Sequence, residues 1–100
     1  MSVMMGLRIK VDPARFLEVV NGNAERLVGI SDRAKTMGCL AHRFYGGDGE
    51  VLVVDEWESS EQFLEFFGST PEVGEMMGEA GMTERPTPLF WSELDTPDRF

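Results

Sequence analysis

The chain has 100 residues, 42% of them hydrophobic and 27% charged, the totals of one soluble globular domain (1–100) with a single core and no room for separate cofactor and substrate domains. A formal net charge of -9, from 18 acids against 9 bases, argues against a nucleic-acid or anionic-membrane partner, because phosphate binding needs a basic footprint. The lone Cys39 excludes an intramolecular disulfide, the lone His42 argues against a protein-only metal site, and a reducing cytoplasm is the expected compartment.

The opening MSVMMGLRIKV has too short an apolar run for a signal peptide, and no later stretch is long and apolar enough for a spanning helix, so neither secretion nor membrane insertion is expected. Val3, Met5, Leu7, Ile9 and Val11 alternate with other residues in the period-two pattern of a strand with one apolar face. Asp12-Pro13 supplies a helix N-cap acceptor followed by proline at the first helical position. Phe16, Val20, Leu27, Ile30, Ala34 and Met37 then form a helical stripe that closes at Gly38, with a break or fray near Asn21-Gly22.

Cys39 to Tyr45 and Glu50 to Trp57 are β-rich runs joined by Gly46-Gly47-Asp48-Gly49, and they are predicted to pair antiparallel. A two- or four-residue loop centred there sets Tyr45 opposite Glu50, His42 opposite Val53 and Leu40 opposite Asp55. Leu40, His42, Phe44, Val51, Val53, Asp55 and Trp57 then share one face. Cys39, Ala41, Arg43, Tyr45, Leu52, Val54 and Glu56 share the other, and a one-residue bulge would exchange the pairing. Ser59 and Gln62 read as a capping box ahead of a helix striped with Phe63, Phe66 and Phe67. Thr70-Pro71 opens a further helical piece ending at Gly81, either separate or continuous with the first through a kink. Leu89 to Leu94 is a last short strand and 95–100 a polar C-terminal tail.

This order is the split βαββαβ arrangement of an α+β, ferredoxin-like sandwich with a four-stranded antiparallel sheet. Helices cover one sheet face. The other carries Met4, Tyr45, Leu52 and Val54, and burying that patch calls for a second copy of the chain.

Met37-Gly38-Cys39 and the run Val51 to Phe67, VLVVDEWESSEQFLEFF, resemble the antibiotic-biosynthesis-monooxygenase superfamily of dimeric α/β barrels. Gly38 and Cys39 match that family's Gly-Cys, Asp55 stands where a Glu is usual, and Trp57 and Ser59 match its Trp and Ser. The resemblance implies a homodimer packed sheet to sheet, and a ligand cavity between each protomer's sheet and helices. It also implies oxidation of quinol- or anthrone-type substrates by O2 with no cofactor. Active members carry a His on the helix after the Trp, at the position of Phe66 here; the haem-degrading branch uses an Asn on strand one, and Val3 to Val11 contains none.

His42 and Asp55 are the candidate catalytic pair, diagonal cross-strand neighbours in which the carboxylate fixes the imidazole tautomer and makes it a base. The plain alternative is a strand histidine and a strand-end acid with no joint role. Leu40, Phe44, Trp57, Phe63, Phe66 and Met77 are the candidate ligand-binding residues, lining for a planar aromatic or otherwise hydrophobic small molecule; the plain reading of Trp57, Phe63, Phe66 and Met77 is core. Gly46, Gly47 and Gly49 join two strands with no following lysine and so do not form a phosphate loop. Two functions follow: a cofactor-independent monooxygenase acting on a planar aromatic or polyketide-like substrate, or a binding or interaction module of the same fold without turnover.

Overall fold

The computed structural model describes residues 1–100 as β1 (Val3–Ile9), α1 (Pro13–Gly22), α2 (Ala24–Thr36), β2 (Cys39–Gly46), β3 (Val51–Trp57), α3 (Ser60–Ser69), α4 (Pro71–Glu79) and β4 (Leu89–Trp91). The strands form one antiparallel sheet in the order β2-β3-β1-β4, the ferredoxin-like topology that the element order predicts. Each of the two helical crossovers is divided into two pieces.

The first division falls at Asn23, close to the expected break. Its side chain donates to the Val19 carbonyl at 2.8 Å, and its own carbonyl accepts from Leu27 N–H at 2.9 Å, so one residue closes α1 and opens α2. Asp12 caps α1 by accepting from the Arg15 N–H at 3.4 Å, with Pro13 in the first turn. Gly38 follows α2 with φ +111°, a backbone that favours glycine, and a Cβ at this position would lie 2.6 Å from Gln62 Nε2, so the end of that side chain would have to move aside. Ser59 caps α3 by accepting from Gln62 N–H at 3.2 Å, and its hydroxyl donates to Gln62 Oε1 at 2.7 Å while Gln62 Nε2 donates to Glu58, so the Gln62 side chain closes on the cap hydroxyl and not on the Ser59 N–H of a capping box.

The hairpin register corrects the sequence expectation. His42 stands directly opposite Asp55, Phe44 opposite Val53 and Tyr45 opposite Leu52. Every pair is displaced by two because the turn sits at Asp48-Gly49, with Gly47 N–H donating to the Glu50 carbonyl at 2.9 Å and Gly49 at φ +71°. A displacement of two preserves the faces. A bulge between Cys39 and Ala41 does not: Cys39 pairs with Trp57 and turns to the helix side, while Leu40 is pushed out and is 54% exposed. β1 and β4 are also shorter than expected. β1 ends at Ile9, its last partner on β3, and β4 stops after Trp91, which pairs with Met4, because β1 has only Val3 beyond that point.

The core fills the space between the inner sheet face and the helices, where Met5, Leu7, Ile9, Val51, Val53 and Trp57 meet Phe16, Val20, Phe63, Phe66, Met76 and Met77. Trp57 is fully buried, with its ring edge-on to Phe63 at 5.5 Å and tilted against Phe66 at 5.4 Å. On the outer sheet face Met4, Tyr45, Leu89 and Trp91 remain about half exposed, and Trp91 lies so close over Gly6 that a Cβ there would be 2.9 Å from its ring. No helix is long and apolar enough to cross a membrane.

Candidate functional site

A cavity of about 80 Å³ lies between the sheet and the helices. Fifteen of its 18 lining residues are hydrophobic; the others are Ser31, His42 and Asp55. Of the six candidate ligand-binding residues, Phe44 on β2, Phe63 and Phe66 on α3 and Met77 on α4 line it. Leu40 and Trp57 do not. The bulge sends Leu40 to the surface, and Trp57 is packed behind Asp55 in the core, so neither is a cavity wall.

The cross-strand register brings His42 and Asp55 together. His42 Nδ1 lies 2.7 Å from Asp55 Oδ1, and Trp57 Nε1 donates to Asp55 Oδ2 at 3.0 Å. Asp55 is 6% exposed, and each carboxylate oxygen has its own N–H donor, which is what keeps a buried charge tolerable. An ionised carboxylate only accepts, so the proton between the pair sits on Nδ1 and the neutral ring presents Nε2 as its acceptor. Nε2 has no protein partner, and the ring, whose side chain is 34% exposed, packs edge-on against Phe44 at 4.6 Å. The arrangement leaves the outer ring nitrogen of a histidine free beside an apolar space.

Cys39 is the second group beside Asp55. Burial, and then the Asp55 carboxylate, push its thiol up to about 11, while a hydrogen bond with the Ala41 backbone and the Lys35 charge offset only part of the rise. At neutral pH it is a thiol and not a nucleophile. Among the lining residues that sequence reasoning did not name, Cys39 was assigned to the opposite sheet face and Ser31 is the one hydroxyl. Ser31 was detectable, since it falls between Leu27, Ile30 and Ala34 at helical spacing, a hydroxyl inside an apolar stripe. No three His, Cys, Asp or Glu side chains come together as a metal site.

Fold and site together define an α+β, ferredoxin-like protein with an apolar cavity and a His–Asp pair on its wall. The fold is that of the antibiotic-biosynthesis-monooxygenase-like proteins. A monooxygenase of Streptomyces coelicolor, ActVA-Orf6, solved in complex with nanaomycin D, superposes with TM-score 0.67 and 18% identity, over 95% of this chain and 89% of that one. SnoaB, a cofactor-independent oxygenase from Streptomyces nogalater, gives TM-score 0.63 and 14% identity over 98% of both chains. A dimeric ferredoxin-like protein from an uncultured marine organism gives 0.64 and 12% over 95% of this chain and 92% of that one. No protein-family model and no curated protein matches the chain.

Proposed function

We propose that this chain is a cytoplasmic homodimer that binds a planar aromatic molecule of the phenol or quinol class in its cavity and oxidises it with O2, without a cofactor. The observation that carries the reading is the 2.7 Å His42–Asp55 bond at the edge of an apolar cavity. Nε2 of His42 takes the phenolic proton, and the electron-rich phenolate carbon para to the oxygen then adds O2. The proton held on His42 goes to the distal peroxide oxygen, the ring C–H proton is lost to the base, and the O–O bond breaks. One oxygen atom remains as the new C=O of a quinone and the other departs as water, so phenol plus O2 balances quinone plus water. Proton transfer by a positioned base contributes typically about 10²–10⁴-fold to such a step.

Nanaomycin D in the S. coelicolor protein of this fold supports a planar aromatic ligand class. The cavity volume limits it further. At about 80 Å³ it is smaller than the roughly 150 Å³ that admits benzene in an engineered core, so even one ring enters only as Met77 and Phe67 shift. The dimer is supported by the half-exposed Met4, Tyr45, Leu89 and Trp91 on one sheet face, and sheet-to-sheet packing of two copies would close an α/β barrel. The free thiol of Cys39 fits a reducing compartment.

Oxygen uptake with a panel of monocyclic phenols and hydroquinones tests the activity. Wild type is expected to consume O2, and His42→Ala and Asp55→Asn to lose about 10²-fold or more in rate. Unchanged rates in both variants remove the pair from catalysis. A second reading, a binding module without turnover, is favoured by Phe66, which is buried against Trp57 where active relatives of the resembled family carry a histidine. Ligand binding by calorimetry with no O2 uptake by wild type selects it.

A further inference from the structure

We propose that Trp57 is a positioning residue, whose indole N–H acts through Asp55 to hold the His42 imidazole as the Nδ1–H tautomer with Nε2 unprotonated. The indole takes no part in the cavity wall, so its role is not that of a ligand platform. Its Nε1 donates to Asp55 Oδ2 at 3.0 Å, and the other oxygen of that carboxylate receives His42 Nδ1 at 2.7 Å. Trp57 is 0% exposed and held between the Phe63 and Phe66 rings, so its donor cannot swing away. A carboxylate pinned through one oxygen cannot rotate about its Cβ–Cγ bond without breaking a charge-assisted bond, and its second oxygen therefore stays aimed at Nδ1. The strand geometry makes this possible: Trp57 and Asp55 are two residues apart on one face of β3, and His42 is the direct cross-strand partner of Asp55.

Which imidazole nitrogen carries the proton is set by the bond the other makes. Without the indole N–H, Asp55 is free to turn, and the ring drifts toward the Nε2–H form that an unconstrained imidazole prefers and that has no acceptor on Nε2. The base of the function proposed above is then lost from part of the population. The inference rests on that reading for its consequence in catalysis, and on geometry alone for the tautomer.

The chain has one histidine, so ¹⁵N-histidine labelling gives a single pair of ring-nitrogen signals. In neutral imidazole, wild type is expected to show the Nδ1–H tautomer. Two altered proteins test the inference: Trp57→Phe, and a protein with β-(3-benzothienyl)alanine at position 57, which keeps the bicyclic shape and replaces N–H by sulfur. Asp55→Ala marks the ratio of the unheld ring. Both altered proteins are expected to shift the Nδ1–H to Nε2–H ratio severalfold toward that of Asp55→Ala. If Trp57→Phe fails to fold, the benzothienyl protein decides. A wild-type ratio in the benzothienyl protein overturns the inference, whatever the activity does. A shifted ratio in a chain that consumes no O2 leaves the positioning role standing and removes the oxygenase reading.

Discussion

Asp55 shows how one buried carboxylate organises its neighbours. It raises the Cys39 thiol, holds His42 Nδ1 and satisfies the indole of Trp57. The Cys39 shift has a consequence for stability. Below pH 9 the thiol is protonated in both folded and unfolded chains; above it the unfolded chain ionises first, so stability is expected to fall as pH rises from 9 to about 11. Urea denaturation across that range measures the slope, and Cys39→Ala is expected to flatten it. Thiol-reagent labelling of native protein at neutral pH is expected to be slow for the same reason. Leu40 next door behaves oppositely. Because the bulge exposes it, Leu40→Lys is expected to change stability by no more than about 0.5 kcal/mol, whereas Val53→Asp, inside the core, unfolds the chain. The exchange of these two side chains was not readable from the residues, since a bulge adds one residue to a ladder without leaving a sign in the alternation. His42, Asp55, Phe44, Phe63, Phe66 and Met77 were readable, because strand and helix periods alone place them toward one space.

At the scale of elements, caps and glycines fix where pieces begin and end. Ser59→Ala is expected to cost about 1 kcal/mol through the lost bond to Gln62 N–H, measured by chemical denaturation. Gly38→Ala is expected to cost more, since it combines a positive φ with a close approach to Gln62. The hairpin offers a test of register. Gly49 is at φ +71° and Gly47 is not at positive φ, so Gly49→Ala loses about 1 kcal/mol or more while Gly47→Ala does not destabilise. Four residues with three glycines in them tell a reader that a turn occurs but not which pair takes the tip, and that is why the sequence reading placed it one position early. The helical crossovers were better specified. Asp12-Pro13, Asn21-Gly22-Asn23 and Gly38 each carry a boundary chemistry that the structure uses; at Thr70-Pro71 only the proline does, since the Thr70 hydroxyl accepts from Arg33 and makes no cap bond.

For the whole molecule, the dimer proposed above rests on the helix-free sheet face. Light scattering at micromolar concentration is expected to give twice the 11.2 kDa chain mass, and a monomeric mass would refute the dimer. Trp91→Glu places a charge on that face, where the Trp91 ring now lies over Gly6 of β1, and is expected to yield monomer. The strand order followed from element order, so the fold was largely legible; the cavity volume was not, because it depends on how Met76, Met77 and four phenylalanines interlock.

Trp57 and Trp91 stand on opposite sides of the same sheet, one fully enclosed and the other 54% open to solvent. The chain therefore contains a built-in optical assay with two channels. Dilution that separates the subunits of the proposed dimer should red-shift and expose to acrylamide only the Trp91 emission, while denaturant acts on Trp57 as well, so that in Trp91→Phe protein the fluorescence follows unfolding alone. Dissociation and unfolding, which a single thermal melt would merge, can thus be read apart in one cuvette.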